Sequence, residues 1–239
     1  MADLIERTLL AGVPALLVRP AAIRERAPTV LWYHGFGADK DTHLPELRRF
    51  ANAGLLAVGV DAVDHGERRA AAADLAQGTA RSAADSERAF ELLVGGTVAE
   101  VPALIDALLE RGTTDGERIA VAGVSMGACI VYGAIPRDRR IRAAVALLGS
   151  PERNSLDDAG PEVARFFPTA LLSITAGRDS IVPPAAARAL HCRLAPFYDR
   201  APDRLSYVTI PGAPHFMCAK DWEDAIGETC EWLCRFAKE

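Results

Sequence analysis

A serine with glycines two positions away on either side stands at Gly123-Val124-Ser125-Met126-Gly127. With 19 glycines in 239 residues, chance alone yields a GxSxG string only about 0.05 times. The string also falls where an apolar run, 119–124, meets a helical pattern that opens at Met126. A turn this tight between strand and helix strains the serine backbone and pushes its hydroxyl outward. The glycines remove side chains that would strike the neighbouring strand and helix. The pattern predicts a nucleophilic serine; the plainer reading is an ordinary glycine-rich turn.

A serine hydroxyl is a poor nucleophile near neutral pH. A base must take its proton, and an acid must orient that base. Histidines stand at 34, 43, 65, 191 and 215. His215 lies in Pro211-Gly-Ala-Pro-His215-Phe216, the loop after the last predicted strand. Reactive groups gather at the carboxyl ends of strands in open α/β sheets, so His215 is the predicted base. His191 falls mid-helix and reads as a packing or surface residue. His34 and His65 also follow strands, but each precedes a glycine in a tight loop, where a histidine often just hydrogen-bonds backbone. The predicted acid is Asp179, in Gly177-Arg178-Asp179-Ser180 after the run 170–175. Asp157 and Asp158 in the preceding loop, and Asp61 and Asp64 two strands earlier, remain alternatives.

His34-Gly35-Phe36-Gly37 ends another apolar run and leads into the first helical pattern. Glycines there let backbone N–H groups approach a developing oxyanion. The Phe36 and Met126 N–H groups are the predicted donors, each worth about 3 kcal/mol in a transition state. Alone this string would be a weak signal. It gains weight beside a GxSxG, a late aspartate and a later histidine.

Elements that could position these residues are legible around them. Runs at 5–10 and 15–19 read as two strands turned at Gly12-Val13-Pro14. Short apolar runs at 29–33, 55–60, 119–124, 143–148, 170–175 and 205–210 read as strands buried on both faces. Helical patterns lie between them. One carries Leu44, Leu47, Phe50 and Ala51 and is closed by Gly54. Another covers 126–135, and a third starts at Pro183-Pro184. The last places Trp222, Ile226, Cys230, Leu233 and Ala237 on one stripe. The segment 83–111 is helical by pattern, with Gly95-Gly96 and Pro102 expected to break or kink it. Alternation of this kind predicts an α/β fold, a mainly parallel central sheet with helices on both faces, as a single domain over 1–239.

Composition narrows the partners. Lys+Arg 27 against Asp+Glu 32 gives a net charge of −5, which argues against nucleic acid and against a polybasic membrane anchor. Five cysteines without a CxxC suggest neither a disulfide framework nor a zinc site. No run approaches the roughly 18 apolar residues of a membrane helix. Asp3 and Glu6 precede the apolar stretch 8–18, where a signal peptide would carry basic residues. A cytoplasmic protein is expected.

Together YHGFG, Asp61-Ala-Val-Asp64-His65-Gly66-Glu-Arg68, GVSMGA and the late PHF resemble the α/β-hydrolase superfamily. The resemblance is to small bacterial carboxylesterases of the dienelactone-hydrolase and prolyl-oligopeptidase-like branch, and it covers nearly the whole chain. The order Ser125, Asp179, His215 is the order of that superfamily. The resemblance implies a serine carboxylesterase acting on a small-molecule ester through an acyl-enzyme, with no metal and no organic cofactor. It implies that Asp64 and His65 shape the rim of the site and are mainly structural. Dienelactone hydrolases proper use a cysteine where this chain has Ser125, which favours an ordinary esterase. A thioesterase or amide hydrolase would use the same groups, and a non-catalytic binding protein of the same fold is the reading from another class.

Large acyl pockets in that superfamily are usually built by an inserted cap. The intervals 149–169 and 67–84 have room for a small lid at most. A small apolar pocket lined by Phe166, Phe167 and Phe216 is therefore expected, with a preference for acyl chains of about two to six carbons. The plainer reading makes those phenylalanines core.

Overall fold

Apolar runs without alternation need cover on both faces, and the chain provides it around one eight-stranded sheet. The computed structural model describes residues 3–20, 26–69, 82–154 and 163–238. The strands are β1 (Asp3–Leu10), β2 (Val13–Pro20), β3 (Ala27–Tyr33), β4 (Leu56–Val60), β5 (Thr114–Val124), β6 (Ile141–Leu147), β7 (Ala170–Ala176) and β8 (Leu205–Ile210). Their order is β1-β2-β4-β3-β5-β6-β7-β8. β2 is antiparallel to β1 and to β4; the pairings from β4 to β8 are parallel. The first hairpin turns at Ala11 and Gly12, both at positive φ (49° and 83°), one position earlier than expected. This is the primed geometry that two-residue hairpins favour, so Val13 and Pro14 already belong to β2.

Successive side chains of each central strand enter different cores. Leu31, Tyr33, Ile119 and Val121 face one cluster; Val30, Trp32, Ala120 and Ala122 face the other. The first cluster is covered by α2 (Ala83–Glu110), α3 (Met126–Ala134) and α4 (Ala185–Leu194). The second is covered by α1 (Leu44–Asn52) and α5 (Ala219–Phe236). The α5 stripe packs as its spacing predicts: Ile226, Leu233 and Ala237 are buried, with Trp222 and Cys230 against them. Gly54 closes α1 at φ 92°, where its N–H and that of Leu55 satisfy the Ala51 and Phe50 carbonyls.

The segment expected to break does not. α2 runs for 28 residues through Gly95-Gly96 and Pro102. Its packing explains why. Gly96 lies flush against Val63, so a Cβ there would come within 3.3 Å of Val63 Cγ2. Val94, Val98, Val101, Leu104, Ile105 and Leu108 are buried in the first core. Thr97 Oγ1 donates to the Leu93 carbonyl and accepts the Val63 N–H. By length and composition the stretch Ala84–Glu110 is apolar enough to match a bilayer span, contrary to the expectation that no segment comes near one. Here its apolar side is core.

Two histidines are buried and held neutral. His191 on α4 shares the Ser173 hydroxyl with Tyr132, Nε2 to Oγ 2.8 Å and Oη to Oγ 2.7 Å. Burial pushes its pKa down to about 4, and that of His34 likewise. Between pH 6.5 and 4 the unfolded chain takes up protons that these native histidines refuse, so stability is lost as pH falls through that window. The expected loss is on the order of 3 kcal/mol for each histidine. In urea titrations at pH 7 and 4.5, His191→Gln should show a fall in unfolding free energy smaller than wild type by about 2 kcal/mol.

Candidate active site

The elbow between β5 and α3 puts Ser125 at φ 56°, ψ −113°, a conformation that costs a non-glycine residue of order 1–3 kcal/mol. Neighbouring backbone imposes it. A Cβ on Gly127 would run into the Tyr33 carbonyl oxygen, and one on Gly123 would lie 2.7 Å from the Gly127 carbonyl carbon and 2.8 Å from that same Tyr33 oxygen. Strand, helix and the end of β3 therefore meet in backbone contact. The Ser125 N–H donates to the Leu147 carbonyl at 2.8 Å, and its carbonyl accepts the Cys129 N–H. The main chain is tied on both sides, and the hydroxyl is the part left free.

Ser125, His215 and Asp179 come together from three strand ends. Ser125 Oγ is 3.0 Å from His215 Nε2, and His215 Nδ1 is 2.7 Å from Asp179 Oδ2. A carboxylate only accepts, so Nδ1 carries the proton there and Nε2 is left to accept from the serine hydroxyl. Asp179 is buried, its side chain 1% exposed. Its other oxygen, Oδ1, accepts the Ile181 and Val182 N–H groups at 2.9 and 2.7 Å, which aims Oδ2 at the imidazole. The two loops are stitched together: Gly177 N–H donates to Ile210 O and Arg178 N–H to Ala213 O.

The rival residues have other duties. Asp61 is fully buried and accepts the Lys40 N–H (2.8 Å), the Glu67 N–H (2.9 Å) and the Lys40 ammonium (3.3 Å). Asp64, at φ 55°, points no oxygen at a histidine in any bond found among the described residues. Asp157 and Asp158 lie outside the described residues. His34 Nδ1–H donates to the Gly35 carbonyl at 2.8 Å, and its Nε2 accepts the Ala62 N–H at 3.2 Å. His65 Nδ1–H donates to the Val63 carbonyl at 2.8 Å.

The His34 bond bears on the loop that follows. Gly35 C=O and Phe36 N–H belong to one trans peptide and point in opposite directions. Holding the carbonyl on His34, with Ala38 N–H also on it, fixes where the Phe36 N–H points. Neither that N–H nor the Met126 N–H bonds another described group. Gly35 lies beside the serine: a Cβ on it would be 3.7 Å from Ser125 Cβ. Two unengaged donors flanking a serine that hydrogen-bonds a histidine suit a tetrahedral oxyanion.

A cleft of about 1030 Å³ opens beside Ser125. Among the described residues this cleft is larger than the small pocket expected from the sequence, and its walls are others. Phe166 is fully buried in the core, Phe167 packs edge-on against Tyr198, and Phe216 is 81% exposed. The aromatic walls are Phe36 and Phe90 instead, with Leu92, Leu93, Ile181 and Val182. Phe90 and Leu93 lie three apart on α2, at helical spacing, which is the signal that could have found them. Asp64 and His65 do line this cleft. Among the described residues no group of three or more His, Cys, Asp or Glu side chains could hold a metal ion.

The model of the dienelactone hydrolase family matches residues 13–201. The chain belongs to that family. A Bacillus subtilis (strain 168) protein named "Putative esterase YitV" is 26% identical over 261 residues, covering 96% of this chain and 97% of its own. "Esterase YjfP" of Escherichia coli (strain K12) is 29% identical over 153 residues, 64% of this chain and 57% of its own. The structure of TT1662 from Thermus thermophilus is similar at a TM-score of 0.73 and 25% identity, covering 98% of this chain and 99% of that one. Within this hydrolase family the fold is the α/β-hydrolase fold, as the sequence predicted.

The backbone contact at the elbow leaves no room for a methyl group. Gly127→Ala is expected to lower the unfolding free energy by about 1–3 kcal/mol, read from denaturant titration. Gly95→Ala, at a position with no atom within 4 Å of the new Cβ, should instead be neutral or stabilising by up to about 1 kcal/mol.

Proposed function

We propose that this hydrolase is a serine carboxylesterase that works through an acyl-enzyme. The observation that carries the reading is the chain of bonds from Ser125 Oγ to His215 Nε2 and from His215 Nδ1 to Asp179 Oδ2. In this reading Ser125 attacks the ester carbonyl while His215 Nε2 takes the hydroxyl proton. The carbonyl oxygen becomes an oxyanion held by the Phe36 and Met126 N–H groups. Asp179 keeps the Nδ1–H tautomer and stabilises the imidazolium that forms. His215 then protonates the departing alcohol, and water enters the same cycle to release the acid and free Ser125. The names of the Bacillus and Escherichia relatives support an ester as the bond cleaved.

Nothing in these steps needs the acyl group to be short. That expectation rested on a small pocket walled by Phe166, Phe167 and Phe216, and none of the three is among the residues that line the cleft.

A fluorophosphonate probe should label wild type and not Ser125→Ala. With p-nitrophenyl butyrate, Ser125→Ala and His215→Ala should each lose at least about 10³-fold in kcat, and the double variant little more, because the groups act as one unit. Asp179→Asn should lose about 10²–10⁴-fold. Labelling that persists in Ser125→Ala would assign the nucleophile elsewhere. A panel of matched ester, thioester and amide substrates tests the choice of bond.

A further inference from the structure

A cleft opens beside Ser125. Phe36, Met126 and Cys129 line it, and so do Ile181, Val182 and Pro183; His215 does not. In the esterase reading, on which this inference rests, His215 hands its proton to the leaving alcohol, so the alcohol departs on the histidine side. The space walled by the residues that carry the oxyanion donors is then left for the acyl group.

Its far wall is made by the first turns of α2. From Val94 onward this helix alternates between core and surface, but residues 84–89 are exposed. Ser82 caps this end, accepting the Asp85 N–H at 3.1 Å. These turns nevertheless line the cleft through Ser86, Ala89, Phe90, Leu92 and Leu93. Phe90 reaches Phe36 across it, ring centroids 6.1 Å apart. Phe36, Leu92 and Ile181 remain 59%, 65% and 56% exposed at the mouth. Large apolar side chains gathered at one opening mark a surface that a ligand covers.

We propose that this cleft is the acyl site and that it takes apolar chains of medium length, on the order of eight carbons, with the exposed first turns of α2 setting the limit. The volume is at the upper end of the range for sites that enclose a drug-sized ligand, well beyond what an acetyl or butyryl group fills. Each added methylene that keeps contact with Phe90, Leu92, Leu93 and Ile181 raises kcat/KM by about fourfold at best.

The test is a series of p-nitrophenyl esters from acetate to dodecanoate. kcat/KM should climb at least about 30-fold from acetate to octanoate, a cautious fraction of the methylene gain, and then level or fall. Ala89 is exposed and lines the cleft, so Ala89→Trp fills the space from outside the core. It should lower the octanoate-to-acetate ratio at least about tenfold and move the maximum to shorter chains. Leu92→Glu, also at an exposed position, should lower the same ratio by placing a charge in the chain's path. Thermal melts establish that both variants are folded. In acetate esters of alcohols from ethanol to octanol, kcat/KM should change by less than about threefold. A maximum at acetate or butyrate, a ratio untouched by both variants, or a larger gain on the alcohol side would overturn the acyl assignment while leaving a labelled, active Ser125 and the esterase reading in place. No labelling and no turnover of any ester would remove both.

Discussion

Backbone against backbone at the foot of α3 is the constraint on which the rest depends. Gly127 rests on the Tyr33 carbonyl, Gly123 rests on Gly127, and Gly149 sits against Ala128 with no space for a Cβ. Three parallel strands and one helix thereby converge at the same height. The convergence forces Ser125 to positive φ and sends the next strand out beside it, where Leu148 takes φ 57° in turn. Such strain persists only when the surroundings over-determine it. Here they do: Ile119, Val121, Ile130 and Val131 are buried to 1% exposure or less in one continuous core. The serine is positioned by packing beneath it, with no side-chain bond required to hold its backbone.

A second constraint ties the loops around that point. Asp61, just past the end of β4, is fully buried and accepts from three donors. Burial alone would lower the pKa of Lys40; its bonds to Glu67, Asp61 and Asp41 outweigh that and hold it above the usual lysine range. A buried charge pair of this kind is weak evidence for net stability, but removing one partner strands the other, at about 3–5 kcal/mol. Its consequence is geometric. Asp61 joins the segment after the HGFG loop to the segment that begins with Gly66, whose α-carbon presses on the Asp61 carboxylate. Arg68 then forks onto Glu100 of α2 at 2.8 and 2.6 Å and also reaches the Asp61 carbonyl. The chain of contacts runs from the HGFG loop through Asp61 and Arg68 to the helix that walls the cleft. Asp61, Gly66 and Arg68 of the stretch that resembles a family motif are thus accounted for by contacts that set loop against loop and, through Arg68, loop against helix.

The sequence made the strands, the elbow and the three-residue set legible because each is local. A GxSxG at a strand end, a short apolar run and an aspartate after a strand are all written within a few consecutive positions. What it left hidden depends on distant parts. That α2 survives Gly95-Gly96 and Pro102 follows from Val63 and the core clamping it, and neither adjoins it in the chain. Phe166 and Phe216 are both aromatic and both near loops, yet one fills the core and the other faces solvent. Phe166 is enclosed by the first core, while Phe216 leans edge-on against the His215 ring and stays 81% exposed. Gly54 and the α5 stripe were readable for the opposite reason, since a helix end and a 3.6-residue period are properties of neighbours.

The long helix also supplies a wall of the cleft. A helix packed against a sheet usually ends where the sheet's cover ends. α2 begins more than two turns before its first fully buried residue, Val94. Those extra turns add little to the core and expose Leu92, which by itself is an apolar surface left in water. They do fix a wall relative to the nucleophile, because the same rigid element is anchored at Val98, Val101 and Ile105 in the core that sets Ser125. A loop in that place would have to be ordered anew with each substrate, at roughly 1–2 kcal/mol of backbone entropy per residue fixed. Extending a helix that the core already holds avoids that cost, since its first turns inherit their direction from the buried ones. The wall, the Phe36 ring and the Phe36 and Met126 N–H groups then belong to one frame held by the same core.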